Sequence, residues 1–327
     1  MAAEDETPDF FPLLAFGTYK VGRSSDPNTT DKAEVLRVIR DAVQAGYRAF
    51  DCAEFYGNEV EVGEALWASW PKEDRGSLYV IGKVWTSTIY AGPDAVVKQM
   101  EQSLRDLQAS YFDLFLIHWP VPEKKHIEAY KALMPFVGPA KPIRRLGLSN
   151  YTVADYTELV AELDGLEEAG KAVVRPYSNQ FEVSPWLYRQ KTIDFFQSEG
   201  LKLQAYRPFA DGRLLSAEKM PLEIRKIAEK HKTKPSRVLL QWIQKKNIQA
   251  LPKSCTKERI VENLLDVNDA KTMEFLLDKD DLEVLDSMHK SEEYEATFKK
   301  NYVKCIVRDT PLAGSITVDG ITDWHDG

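Results

Sequence analysis

Apolar and polar positions alternate along the chain in two ways, one typical of strands and the other typical of helices. The segment Phe112–Ile117 is almost continuously apolar, as expected for a parallel strand that is buried on both faces. Between Asp31 and Gly46 the apolar residues instead recur every three or four positions, which predicts an amphipathic helix that ends at the glycine. Segments of these two kinds follow one another from residue 13 onward, and we count eight strand–helix units at intervals of roughly 30 residues.

This rhythm is that of a closed (β/α)8 barrel, the TIM barrel, in which each strand is followed by a helix. The predicted strands are residues 13–17, 47–51, 78–82, 112–117, 143–148, 177–180, 201–206 and 248–251. A doubly wound open sheet is the alternative, but that fold usually has a glycine-rich phosphate turn after its first strand, and no G-x-G-x-x-G pattern occurs. We therefore predict an α/β fold with a single barrel domain over residues 13–290. A disordered acidic leader over residues 1–12 precedes it, and a C-terminal tail over residues 291–327 follows.

Composition narrows the class of protein. The 327 residues carry a net charge of −8 with a pI near 5.4, so neither a nucleic acid nor an anionic membrane surface is an expected partner. No apolar run approaches the ~20 residues that span a bilayer, and the acidic N-terminus does not resemble a secretory signal. Cys52, Cys255 and Cys305 are few and widely spaced, which argues against a disulfide framework or a zinc cluster. We expect a cytoplasmic protein that uses no metal ion.

Polar residues stand at the ends of three successive predicted strands. Asp51, Lys83 and His118 end the second, third and fourth strands, and Tyr56 lies on the loop after the second. The carboxyl ends of barrel strands face one mouth, where barrel enzymes keep their active sites. Any one of these residues alone would more often be structural or solvated, but together they predict a site. They suit proton donation to a carbonyl oxygen, because an ammonium beside a phenol favours the phenolate and makes the phenol a better acid.

The same residues lie in motifs that resemble those of the aldo-keto reductase family. Residues 51–59 read D-C-A-E-F-Y-G-N-E, and three further stretches match in order, namely G-K-V-W at 82–85, I-H-W-P at 117–120 and L-P-K-S at 251–254. The resemblance covers about residues 13–290. It implies a catalytic tetrad in which Tyr56 is the acid, Lys83 tunes it, Asp51 holds Lys83, and His118 orients the substrate carbonyl.

Such a tetrad has no hydride source of its own, so a cofactor is required. The resemblance implies NADPH/NADP+, with Ser149, Asn150 and Gln180 on the carboxamide and Tyr206 stacked on the nicotinamide ring. From the residues themselves, a predicted helix start flanked by Lys253 and Arg259 is an anion site. Ser254 or Thr256 can cap this helix. The resemblance assigns the site to the adenosine 2′-phosphate and places Glu262 and Asn263 near the adenine.

Three features depart from the common family pattern. Tyr19 stands where many members have Trp, and Arg207 follows Tyr206 where many have Ser. Arg207 can touch the cofactor pyrophosphate, an acidic substrate, or neither, and the sequence leaves these alternatives open. The loop after Pro120 is short, which predicts an open mouth. The pocket walls implied by the resemblance are the aromatic residues Tyr19, Phe55, Trp85 and Trp119, together with the C-terminal tail.

The sequence thus favours NADPH-dependent reduction of a small-molecule aldehyde or ketone, such as a sugar, to an alcohol by a monomer or weak dimer. The alternative is a cofactor-binding regulatory subunit without significant turnover, as the potassium-channel β subunits of this family are. A further alternative is reduction of a steroid double bond. Relatives of the first kind tend to have Asn, and those of the second kind Glu, in place of His118. The presence of His118 therefore disfavours both alternatives.

Overall fold

The computed structural model describes residues 10–26, 29–267, 269, 273 and 275–291. Within these residues, eight parallel strands follow one another around a barrel in chain order. The strands are β1 (Phe16–Gly17), β2 (Ala49–Asp51), β3 (Tyr79–Val84), β4 (Phe112–Ile117), β5 (Ile143–Ser149), β6 (Ser178–Glu182), β7 (Lys202–Tyr206) and β8 (Ile248–Leu251). Leu14 pairs with Ala250 in parallel, and the Ala15 N–H donates to the Ala250 carbonyl at 3.0 Å, which closes the barrel. The predicted (β/α)8 barrel is confirmed.

Helices surround the strands. In the described part of the chain they are α1 (Lys32–Ala45), α2 (Glu59–Ser69), α3 (Thr86–Ala91), α4 (Pro93–Asp106), α5 (Lys125–Leu133), α6 (Val153–Glu168), α7 (Gln190–Ser198), α8 (Leu222–Lys230), α9 (Pro235–Lys245), α10 (Lys257–Glu262) and α11 (Lys279–Ser287). None of the helices in this part of the chain combines the length and hydrophobicity that a bilayer crossing requires.

The first helix begins and ends as its sequence predicts. Asp31 accepts the Glu34 N–H at 3.0 Å and caps the start of α1. Gly46 ends the helix with φ of 125°, a conformation that side chains disfavour. Between these ends, Val38 and Ile39 are fully buried against the strands. The helical spacing of apolar residues therefore marks the face that packs on the barrel.

Some predicted boundaries are wrong. The first strand is only Phe16–Gly17, although residues 13–15 still pair with β8. Lys83 lies inside β3 rather than at its end, which is Val84. The segment after α10 is rich in charged residues. It contains α11, which Asp278 and Asp281 start with a reciprocal capping box.

The amino-terminal ends of the strands form the closed bottom of the barrel. Phe11 packs edge-on against Tyr79 and Tyr177, with ring centroids 6.3 and 6.1 Å away. At the same end, Asp113, the one charged residue of β4, accepts hydrogen bonds from Arg75 at 2.7 Å and from the Val80 N–H at 2.8 Å. Pairing of this kind stabilises a partly buried carboxylate in an apolar strand. Residues 1–9 of the predicted leader and the predicted pocket-lining tail, 292–327, lie outside the described residues.

Candidate active site

At the opposite end of the barrel, Asp51 and Lys83 form a buried ion pair. Their Oδ1 and Nζ atoms are 2.6 Å apart, and the two side chains are 4% and 0% exposed. The Lys83 ammonium also donates to the Tyr56 hydroxyl and to the Cys52 carbonyl, each at 3.0 Å. The Tyr56 hydroxyl in turn donates to Asp51 Oδ2 at 3.2 Å. These contacts hold the Tyr56 phenol beside the Asp51–Lys83 ion pair, in which the two charges neutralise each other.

The loop that carries Tyr56 is held by its own sequence. Residues Glu54–Tyr56 form a 3₁₀ turn directly after β2, and Gly57 follows in the left-handed conformation with φ of 66°. Asn58 then donates from Nδ2 to the carbonyls of Thr18 and Val21, both at 3.0 Å. These bonds tie the loop to the segment after β1, so the Y-G-N part of the motif places Tyr56 over the barrel mouth.

His118 completes the group. It is the first residue after β4, and its backbone N–H donates to the Val84 carbonyl at 3.2 Å. Its ring centroid lies 6.0 Å from that of Tyr56 and 4.9 Å from that of Trp85. The structure thus brings the four predicted tetrad side chains together at one end of the barrel, whereas their catalytic roles stay predictions.

The surroundings of the Tyr56 phenol favour its protonated form. Burial, followed by the charge of Asp51 and the hydrogen bond to it, raises the pKa of Tyr56 well above its usual value of 10. The Tyr56 ring is half-buried, but its hydroxyl contacts the fully buried Lys83. Lys83 is already neutralised by Asp51, so its positive charge does not outweigh burial. Tyr56 therefore keeps its proton at neutral pH, and the role of Lys83 in making the phenol a better acid stays a prediction.

The predicted nicotinamide-binding residues form a second network beside the first. Ser149 Oγ donates to the Gln180 carbonyl at 2.9 Å, and Asn150 Nδ2 donates to the His118 carbonyl at 3.0 Å. The Tyr206 hydroxyl donates to Asn150 Oδ1 at 2.8 Å. Gln180 Nε2 donates across the barrel to Asp51 Oδ1 at 2.9 Å. The structure therefore connects the residues predicted to bind the carboxamide directly to the predicted tetrad.

The predicted phosphate site lies after β8. Lys253 and Arg259 are exposed, and α10 between them is only six residues long, so few peptide dipoles add up at its start. Neither predicted cap acts as expected, because Thr256 makes no side-chain cap bond and Ser254 Oγ accepts the Thr256 N–H at 3.0 Å. The two cations rather than the helix end supply the charge that a phosphate would meet.

Residues near the predicted adenine pocket are hydrogen-bonded to helix α9. Glu262 accepts a hydrogen bond from the hydroxyl of Ser236, and Asn263 is 5% exposed. The Arg237 Nε donates to the Glu262 carbonyl at 3.0 Å. The end of α10 is thereby anchored to α9.

A continuous cavity of about 750 Å³ joins these parts. Its lining includes Asp51, Tyr56 and His118 at one end and Lys253 and Arg259 at the other. Cofactor pockets typically have volumes of roughly 300–1,000 Å³. Size, cationic end and polar amide-binding end all fit an extended, phosphate-bearing dinucleotide.

Aromatic rings form the rim of the cavity above Tyr56. Phe55 stacks on Trp85 with 3.9 Å between centroids, and Tyr19 lies 6.1 Å from Phe55 and 5.1 Å from Tyr56. Trp119 is 3% exposed and lines the same cavity. The four predicted pocket residues therefore share one wall.

Sequence reasoning missed Glu54, which ties this wall to the Tyr56 loop. Its carboxylate accepts the Trp85 N–H at 2.6 Å and the Thr88 hydroxyl at 2.5 Å. A glutamate two residues before the predicted acid was the available signal, but only the fold brings the start of α3 within its reach. Within the described residues, no group of three or more His, Cys, Asp or Glu side chains is placed to hold a metal ion.

Comparisons with known proteins agree with this geometry. The model of the Aldo/keto reductase family matches residues 13–290. The chain belongs to the aldo/keto reductase family. It is 31% identical over 281 residues to a glyoxal reductase of Bacillus subtilis, with 86% of this chain and 90% of the relative covered. It is 32% identical over 310 residues to an NAD(P)H-dependent D-xylose reductase of Candida tropicalis, with 83% and 87% covered.

A solved structure bears on the cofactor. A mutant of Gox0644, solved in complex with NADPH, superposes with a TM-score of 0.69 at 28% identity and covers 85% of this chain and 89% of its own. NADPH is the cofactor of the aldo/keto reductase family, so the predicted cofactor is confirmed at the level of the family.

Proposed function

We propose that this aldo/keto reductase uses NADPH to reduce an aldehyde or ketone, such as a sugar aldehyde, to an alcohol, with Tyr56 as the proton donor. One observation carries the proposal: the Tyr56 hydroxyl contacts both Lys83 and Asp51 at the end of a cavity that extends to Arg259. A protonated phenol and a distant phosphate-binding cation are what a carbonyl reductase with an extended dinucleotide requires.

The chain's own residues supply the acid half of the reaction. NADPH, when bound, supplies the hydride. Tyr56 holds a proton at neutral pH and transfers it to the carbonyl oxygen as negative charge develops there. Lys83 donates to the same phenol oxygen at 3.0 Å and stabilises the phenolate that remains. His118, whose ring lies 6.0 Å from that of Tyr56, donates to the carbonyl oxygen and orients it.

The exclusion of water depends on the aromatic wall. Phe55, Trp85 and Trp119 cover one side of the space in front of Tyr56. A low-polarity wall strengthens the hydrogen bonds made to the developing oxyanion. The role of these rings is therefore to hold the carbonyl against Tyr56 and His118 while bulk solvent stays outside.

The test is the Tyr56→Phe variant of the purified protein. Turnover of NADPH with aldehyde substrates should fall by about 10²–10⁴-fold, the usual contribution of a general acid. The dissociation constant for NADPH, from quenching of tryptophan fluorescence, should change little. Tyr90→Phe is the matched control, because Tyr90 is an exposed tyrosine on α3 outside the cavity lining.

Two results would contradict the proposal. Near wild-type kcat in Tyr56→Phe would mean that another group donates the proton. NADPH binding without turnover on aldoses, uronic acids, ketoses and aromatic aldehydes would instead favour the regulatory alternative.

A further inference from the structure

Arg207 lies at a position that the proposed reaction leaves without a role. It directly follows Tyr206, the last residue of β7, and its backbone is left-handed with φ of 50°. Its Nη1 lies 3.2 Å from Oε2 of Glu182, the last residue of β6, and its Nε lies 3.0 Å from Asp211 Oδ1. The guanidinium is thus held between two carboxylates at the mouth of the barrel.

The two carboxylates differ in environment. The Glu182 side chain is 5% exposed, whereas the Asp211 side chain is 59% exposed. An exposed ion pair contributes little to stability, but a buried carboxylate that loses its partner is costly. The contact with Asp211 is therefore the one that a ligand can replace, while the contact with Glu182 fixes Arg207.

The backbone keeps Asp211 close to Arg207 in a compact loop. Ala210 and Asp211 are also left-handed, with φ of 49° and 57°. The Ala210 N–H donates to the Arg207 carbonyl at 2.9 Å, and the Gly212 N–H donates to the Phe209 carbonyl at 2.9 Å. Two successive tight turns thus bring the chain back so that Asp211 covers Arg207 from the solvent side.

This loop forms the middle of the cavity wall. Arg207, Asp211 and Gly212 line the cavity, which has Tyr206 at one end and Arg259 at the other. A dinucleotide with its nicotinamide on Tyr206 and its 2′-phosphate at Arg259 has its pyrophosphate between them. Arginine binds phosphate oxygens through paired hydrogen bonds in a fixed geometry.

We propose that Arg207 binds the pyrophosphate of the cofactor and that Asp211 occupies the guanidinium until the cofactor replaces it. The inference rests on the proposed function, since it requires NADPH in this cavity. Arg207 remains bonded to Glu182 throughout, so it acts as a cation pre-positioned by a buried carboxylate. Asp211 competes with the cofactor for Arg207.

The proposal predicts effects of opposite sign for two neighbouring residues. Arg207→Gln should weaken NADPH and NADH equally, by about tenfold, because both cofactors carry the pyrophosphate. Asp211→Asn should tighten both cofactors, because the competing carboxylate is removed. In the Arg207→Gln background, Asp211→Asn should have a much smaller effect, because the competition requires the guanidinium.

The measurement is the dissociation constant of each cofactor by quenching of tryptophan fluorescence, with no substrate present. Because Arg207→Gln removes a cation that pairs with the buried Glu182, the Glu182→Gln/Arg207→Gln double variant is measured as well. It should show the same equal loss for both cofactors. Arg259→Ala is the matched control, since its loss should be confined to NADPH.

The outcomes separate this inference from the proposed function. If the wild type binds neither cofactor, both fail. If the wild type binds NADPH but the Arg207 variants bind both cofactors as the wild type does, only the inference is overturned. A loss confined to NADPH overturns it too. Unchanged cofactor binding with a raised KM for uronic acids, but not for neutral aldoses, would place Arg207 on the substrate instead.

Discussion

Removing one partner of the Asp51–Lys83 pair should destabilise the protein more than removing both. The pair is buried, with Nζ and Oδ1 2.6 Å apart. Asp51→Asn leaves an ammonium that retains only the Cys52 carbonyl, the Tyr56 hydroxyl and an amide oxygen as acceptors. Lys83→Met leaves a carboxylate that retains the donors Gln180 and Tyr56. An uncompensated buried charge of this kind costs about 3–5 kcal/mol.

The double variant Asp51→Asn/Lys83→Met has no charge at this position. Asn and Met approximate the volumes of the residues they replace, and replacing a buried ion pair by neutral groups is often close to neutral for stability. We therefore expect the double variant to lose less stability than either single variant. All three variants should be catalytically impaired. Tyr56 loses its contact with the Lys83 ammonium in the two variants that carry Lys83→Met, and its contact with the Asp51 carboxylate in the two that carry Asp51→Asn.

Urea unfolding followed by tryptophan fluorescence measures the free energy of unfolding of all four proteins. Lys279→Met is the control, because Lys279 pairs with Glu283 on the surface at 3.5 Å and its side chain is 87% exposed. That variant should behave as the wild type. If the double variant loses the sum of the two single losses, Asp51 and Lys83 contribute independently, and the reasoning from a coupled buried pair is refuted.

Three further predictions test other parts of the molecule. Arg259→Ala should weaken NADPH by about tenfold and leave NADH unchanged, with a smaller difference at high salt; equal losses for the two cofactors would assign Arg259 to another role. Burial raises the pKa of Glu59 to about 7, so the folded protein holds a proton that the unfolded chain has released, and stability should fall by up to about 3 kcal/mol as pH rises from about 4.5 to about 7. In Glu59→Gln the urea concentration at the unfolding midpoint should change little between pH 5 and pH 8. A midpoint that depends on pH as in the wild type would exclude Glu59 as the source of this dependence. Only residues 118–124 separate β4 from α5, so kcat/KM should stay high for the bulky, hydrophilic members of a size series of carbonyl compounds. A preference for small aromatic aldehydes alone would contradict an open mouth of the barrel.

The sequence predicts the elements best where one physical signal dominates. The bounds of β4 and β8 agree with the prediction, because each is a short run of mostly apolar residues between polar segments. The sequence did not reveal helix α11, because Lys279–Ser287 is rich in charged residues and its buried residues are Asp281 and Leu285, of which one is apolar. Its capping box, Asp278 with Asp281, was a local signal that could have revealed it.

The site was predictable to the extent that it depends on strand ends. Asp51 and His118 meet because parallel strands in a barrel end on one side. The pKa of Tyr56 was not predictable, because it depends on how much burial outweighs Lys83, and burial is a property of the fold. The contact between Arg207 and Glu182 depends on the pairing of β6 with β7, which brings Glu182 opposite Tyr206.

The Glu54–Tyr56 turn limits which substitutions can alter the substrate preference of this protein. Glu54 is bonded to the backbone at Trp85, Phe55 stacks on the Trp85 ring, and Tyr56 is the proposed acid. Three consecutive residues thus join the wall that selects a substrate to the group that reacts with it. A substitution that widens the pocket at Phe55 will also move Tyr56. New specificities should therefore arise more readily at Tyr19, which lies on another segment, both in evolution and in directed libraries.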